Sequence, residues 1–301
     1  MERIRLENEF VNVEIFPSLG GKITSFYLKE KEFELVAQGS IVQECEQRLL
    51  KEQSVRSFAP YAYGMDDAFP NINEENIQWK DCLLAYPDHG EIWDADFEIK
   101  TQTTDMVVLF WRSPLFQYSY EKKLRLEKHT LTIEYCIINE GERELPCMWT
   151  WHGLVRYEQD MEIVLPDDMQ RCKNVLAGSI LGDEGMVYDL ENDCYDFKKM
   201  PNPNICNMVK YYGEAPVKTG HCAISYPSQK VAYTLDYDAA KLPYLGVWIT
   251  AGGFQGDYNC ALEPTNGYYD RISTARENRK LPVLKHKEQM QFSLQITLQE
   301  T

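Results

Sequence analysis

Residues 290–298 read MQFSLQITL, and Met290, Phe292, Leu294, Ile296 and Leu298 alternate with Gln291, Ser293, Gln295 and Thr297. A two-residue period puts every apolar side chain on one face of an extended strand and every polar one on the other. A helix would scatter the same residues around its circumference. The period recurs upstream at Val11, Val13 and Ile15, and again at Leu131, Ile133 and Tyr135. Between these runs lie "MVVLFW" (106–111), "CMWTW" (147–151), "VAYTLDY" (231–237) and "YLGVWIT" (244–250), bounded by Pro, Gly, Asn or Asp. Their β-branched and aromatic residues suit a pleated, buried surface.

Helical periodicity is confined to "CEQRLLKEQSV", Cys45–Val55. No alternation of strand and helix suggests a parallel sheet, and no linker or repeat of 20–50 residues divides the chain. The expectation is an all-β fold: one domain over residues 1–301, built as a large antiparallel two-sheet β-sandwich with a concave outer face left for function.

Charge narrows the partners. Forty-seven acidic residues against 31 basic ones give a formal net charge of −16, a field that repels phosphate backbones and anionic lipid heads. Nucleic acid and membrane are therefore not expected partners. The longest apolar run, Met106–Trp111, is far shorter than the roughly 20 residues of a bilayer span. The charged opening "MERIRLENEF" has no signal-peptide core, and the chain reads as cytoplasmic. Nine cysteines, none in a C-x-x-C pair, spell neither a disulfide framework nor a zinc knuckle, and are expected to be free and mostly buried. Aromatic residues make up 12% of the chain, with 19 Tyr and 6 Trp. Their flat faces suit a stacked ligand such as a sugar or base.

Three polar groups stand beside aromatic residues at strand ends or turns: His89 in "PDHGEIW", His152 in "WTWHGLV" and Glu263 in "ALEPTNGYYD". A histidine exchanges protons near neutral pH, and Gly153 next to His152 would let a ligand approach the backbone. Pro264 would end a strand and hold Glu263 in an extended conformation. Each also has a structural reading: a hydrogen-bonded histidine at a strand terminus, or a glutamate stabilising a turn. A carboxylate at such a point is costly to bury without a partner or ligand. His89 begins an H-x-E order, but the P-C-x-x-C of zinc deaminases is absent, and no pair of residues has metal-ligand spacing.

In the order they occur, "PSLGGKITSF" (17–26), "MDDAFPNI" (65–72), "HGEIW" (89–93), "WTWHGLV" (149–155) and "LEPTNGYYD" (262–270) resemble the aldose 1-epimerase, or galactose mutarotase-like, family. The resemblance runs through nearly the whole chain. It implies a β-supersandwich and anomerisation of a free hexose or related small-molecule sugar, with no metal or cofactor. Carried onto this chain, Glu263 would be the general base at the C1 hydroxyl and His152 the general acid at the ring oxygen. His89 would bind the sugar, and Trp93 or Trp248 would offer it an apolar face. Asp66 and Asp67 are either further sugar ligands, since carboxylates accept strong hydrogen bonds from a vicinal diol, or a solvated turn.

The chain departs from that family at several points. His152 is followed by Gly153 and Leu154 where proline and an aromatic are common, and the family's arginine has no match, Arg56 lying too early. Non-catalytic sugar binding on the same fold is the alternative function. A third is glycoside hydrolysis by Glu263 with Asp66, Asp67 or Glu91. Oligomeric state is not legible.

Overall fold

The alternating residues of the C-terminal run lie in a strand, Gln289–Glu300, that buries Phe292, Leu294, Ile296 and Leu298 on one face. It occupies the middle of an eight-stranded antiparallel sheet, between Thr130–Asn139 and Val231–Tyr237. Outward on one side come Tyr118–Glu127, Met106–Arg112 and Glu98–Gln102, and on the other His221–Tyr226 and Glu162–Val164. The structure is a computed structural model and describes residues 2–39, 57–203 and 206–301. The helical reading of Cys45–Val55 lies outside the described residues.

A second, eleven-stranded sheet faces the first. Its central strands run in the order Lys22–Leu28, Met65–Ala68, Thr150–Arg156, Tyr258–Thr265, Tyr244–Ala251 and Asn207–Gly213. Every pairing among them is antiparallel. The inner faces of both sheets contribute to one apolar cluster, in which Val13, Phe26 and Trp151 of this sheet join Leu131, Ile133, Leu294 and Ile296 of the other. Each such fully buried aliphatic side chain contributes roughly 1.5–3 kcal/mol, so the alternation seen in the sequence is what holds the sheets together. The one α-helix among the described residues is Ile272–Glu277, and no described helix is long and apolar enough to cross a membrane. The all-β, two-sheet expectation holds.

Around the polar motifs the strands run further than their sequence suggests. His152 is not at a strand end but third in Thr150–Arg156, and Pro264 does not stop the glutamate strand, which continues to Thr265. Pro264 keeps its place opposite Leu245. The consequence falls on the other side. Pairing with the histidine strand is recorded at Thr150–Thr265 and resumes at Leu154–Ala261. Between them Pro264 stands opposite Trp151 with no N–H to donate. Gly153 does not open the backbone to a ligand either. A Cβ there would stand 2.2 Å from Nε1 of the Trp151 indole, so its smallness serves the core.

The expectation that the cysteines are mostly buried needs adjustment. All eight described cysteines are free, but only Cys147, Cys172, Cys222 and Cys260 are buried.

Candidate active site

A single transverse row of the larger sheet carries the polar residues. Register pairs Phe16 with Lys22, Ile23 with Met65 and so Lys22 with Asp66, and Asp66 with His152. Continuing the register through the gap sets His152 opposite Glu263, and Glu263 opposite Gly246. Gly246 in turn pairs with Tyr212. Side chains opposed across neighbouring strands share a face, so four charged or titratable groups from sequence-distant motifs become neighbours.

That face is the outer one. Asp67, next along the strand, points the opposite way and binds Lys122 Nζ (2.9 Å) and the hydroxyls of Tyr135 (2.8 Å) and Tyr120 (3.1 Å), all from the eight-stranded sheet. Asp67 therefore pins the two sheets together and does not join the site. Nor is either aspartate a solvated turn, since each is only 1% exposed.

Above the row opens a cavity of about 360 Å³, lined among others by Phe58, His89, His152, Trp248, Lys210, Glu263 and Asp270. His152 Nδ1 lies 3.1 Å from Asp66 Oδ1, and its Nε2 lies 4.0 Å from Glu263 Oε1. A carboxylate only accepts, so Nδ1–H donates to Asp66, and Nε2 is left for the cavity. Burial alone would raise the Asp66 carboxyl. The charges of Lys22 and His152 outweigh it and hold Asp66 below the usual carboxylate range.

Glu263 is buried, yet among the described residues neither of its oxygens accepts a hydrogen bond of good geometry. Its nearest counter-charge is Lys210 Nζ, 3.3 Å from Oε2 in an ionic contact short of hydrogen-bond geometry. Lys210 also meets Asp270 Oδ1 at 3.0 Å, and Tyr212 donates to that same oxygen at 2.8 Å. Burial would lower the Lys210 ammonium, but the Asp270 and Glu263 carboxylates reverse this and hold it well above its ordinary value. Gly246 makes the approach feasible. A Cβ there would stand 2.9 Å from the Tyr212 ring and 3.2 Å from Glu263 Oε2.

His89 enters from a loop. Its ring stacks on Phe58 at 4.0 Å, stands 5.6 Å from the His152 ring, and places Nδ1 2.7 Å from Asp88 Oδ1. Burial, reinforced by the charges of His152 and Lys210, outweighs Asp88 and lowers its pKa below the ordinary histidine value. A neutral ring with Nδ1–H directed to Asp88 keeps the Nε2 lone pair as an acceptor.

The structure thus gathers His89, His152, Glu263 and Trp248 about one cavity, with Asp66 behind His152. Trp93 is not in its wall. It packs beneath, edge-on to Phe58 at 5.6 Å, with its indole N–H on the Asp88 carbonyl. Of the carboxylates considered as partners of Glu263, neither Asp66, Asp67 nor Glu91 lines the cavity, and Glu91 accepts from Ser113. Lys210, Asp270 and Lys22 were missed, although a lone lysine in the aromatic run "NMVKYYG" was a signal. Among the described residues no group of three His, Cys, Asp or Glu side chains is disposed to hold a metal ion.

Solved structures share this architecture end to end. A putative aldose 1-epimerase from Escherichia coli K12 superposes with a TM-score of 0.75 at 17% identity, covering 100% of this chain and 99% of that one. A galactose mutarotase-like protein from Lactobacillus casei gives 0.75 at 16% identity, with 99% and 100% covered. A GalM/aldose epimerase homologue from C. elegans gives 0.70 at 9%, with 100% and 99% covered. At such identities the likeness establishes the fold, which is that of the galactose mutarotase-like proteins. No curated protein matches in sequence. Residues 113–298, well over half the chain, match the family described as a domain of unknown function, DUF4432, and the chain belongs to that family.

Proposed function

We propose that the protein is an aldose 1-epimerase that interconverts the α and β anomers of a free hexose or related sugar. The observation that carries this reading is Glu263: a buried carboxylate whose oxygens, among the described residues, meet the Lys210 ammonium at 3.3 Å but accept no hydrogen bond of good geometry, and which lies 4.0 Å from the Nε2 of a histidine that faces the same cavity. Leaving such a group unsatisfied is costly unless a ligand completes it.

Ring opening needs a base at the C1 hydroxyl and an acid at the ring oxygen in one step, then the reverse for closure. Glu263 takes the C1 hydroxyl proton while imidazolium His152 gives its Nε2 proton to the ring oxygen. The C1–O5 bond breaks to an open-chain aldehyde. After rotation about C1–C2, the neutral Nε2 recovers its proton from the C5 hydroxyl as that oxygen attacks the other face of C1. Glu263 then returns its proton to the new alkoxide. His89 Nε2 accepts a hydrogen bond donated by a sugar hydroxyl, and Trp248 covers an apolar sugar face. Among the described lining residues Lys210 is the only lysine or arginine, and it already faces two carboxylates, which favours an uncharged sugar over a sugar phosphate.

Polarimetry of freshly dissolved α-glucose, α-galactose and a wider aldose panel tests the proposal. At least one sugar should reach its anomeric equilibrium faster than in buffer. Saturable binding by calorimetry with no acceleration anywhere in the panel would instead identify a sugar-binding protein.

A further inference from the structure

Two motifs have no place in that chemistry: "GGKITSF", which holds Lys22, and "MDDAFPNI", which holds Asp66. Both lie in the same transverse row as His152. Lys22 is fully buried, and its ammonium donates to the carbonyls of Tyr61 (2.9 Å) and Tyr63 (2.8 Å) and to Asp66 Oδ2. Those three bonds exhaust its donors. Asp66 is thereby held at one oxygen by Lys22 and presents the other to His152 Nδ1.

Resting on the mutarotase reading, we infer that Lys22 and Asp66 are positioning residues that fix the tautomer of His152, and that Asp66 is not a sugar ligand. The cycle needs this. His152 passes between imidazolium and neutral imidazole, and in the neutral form the free lone pair must sit on Nε2 to recover the C5 hydroxyl proton. A carboxylate at Nδ1 enforces that state. An amide there can donate to Nδ1 and stabilise the opposite tautomer, whose Nε2–H cannot accept a proton. The Asp66 oxygens are engaged at Lys22 and His152, and Asp66 does not line the cavity.

The charged and titratable groups around His152 are Asp66 on one neighbouring strand, with Lys22 behind it, and Glu263 on the other, with Lys210 beyond. His89 faces it from the loop. Asp66→Asn removes the anion nearest to the imidazolium while keeping the shape.

The test uses the ¹⁵N-labelled full chain without sugar. Imidazole ¹H–¹⁵N correlations are assigned by their loss in His152→Gln, and anomerisation kinetics are measured in parallel. In the wild type, neutral His152 is expected as the Nδ1–H tautomer. In Asp66→Asn that preference should vanish, and kcat should fall by on the order of 10²-fold or more with KM within about twofold. Lys22→Gln should shift both readouts in the same direction by less. A wild-type His152 in the Nε2–H form, or an Asp66→Asn chain with unchanged tautomer and kcat, overturns the inference. The wild-type spectrum decides the tautomer even where a variant does not fold. If no sugar is accelerated, the mutarotase reading fails alone, because the spectrum is read without substrate.

Discussion

Asp66 and Asp67 are consecutive, equally buried carboxylates on one short strand, and each has a lysine partner. The pleat sends them to opposite faces. Asp67 closes on Lys122, Tyr120 and Tyr135 between the sheets, and its partners belong entirely to the fold. Asp66 closes on Lys22 and on a histidine whose other nitrogen faces a cavity. Identical burial thus says little about what a carboxylate does; what its partner's far side faces says more.

The difference is open to breakage from the inner side first. Asp67→Ala leaves the Lys122 ammonium buried without its anion, and should cost about 3–5 kcal/mol of stability. A lowered urea midpoint is the readout, with the anomerisation rate per folded molecule nearly unchanged. Should activity fall while stability holds, the division between the two faces is wrong.

On the outer face, Lys210→Met leaves Glu263 and Asp270 without their shared cation. kcat is expected to fall roughly 10²-fold with KM within about twofold. A variant with the wild-type kcat would make Lys210 a packing residue.

Smaller effects sharpen the outline of the cavity. Trp248→Ala should raise KM about tenfold with kcat within about twofold, as expected for binding expressed equally in ground and transition states. His89 gives a pH signature. Its folded pKa lies below the unfolded value of about 6.5, so the native state binds fewer protons. Its stability contribution is intact above pH ~6.5 and declines as pH falls through the folded value. Thermal melting of His89→Gln beside the wild type from pH 7.5 to 5 should show a shallower acid-side decline in the variant.

Strands with one solvated face were legible because burial alternates along them, as in Phe292–Leu298. The central strand Thr150–Arg156 was not, because loops carrying Phe58 and His89 cover its outer face and its residues are buried on both sides down to Val155. Its end was therefore placed at the first polar residue, His152. Pro264 misled for a related reason. Its missing N–H interrupts the ladder on one side only, while the pairing with Leu245 continues. The ordered motifs led to His89, His152 and Glu263, but not to the partners that set their chemistry. Lys22 reaches Asp66, and Lys210 reaches Glu263, only through pairing of sequence-distant strands, and Asp270 meets Lys210 from the loop after the glutamate strand, so no local window of sequence contains these contacts.

Exchange between the two anomeric proton signals of an accepted sugar, followed by NMR at equilibrium with the wild type and with Glu263→Gln, addresses the role of Glu263 most directly. The wild type is expected to transfer magnetisation between the anomers. Glu263→Gln should bind the sugar and retain its fold while exchange drops by about 10³-fold, the middle of the range for loss of a general base. Equal exchange with Glu263→Gln and wild type would contradict the account.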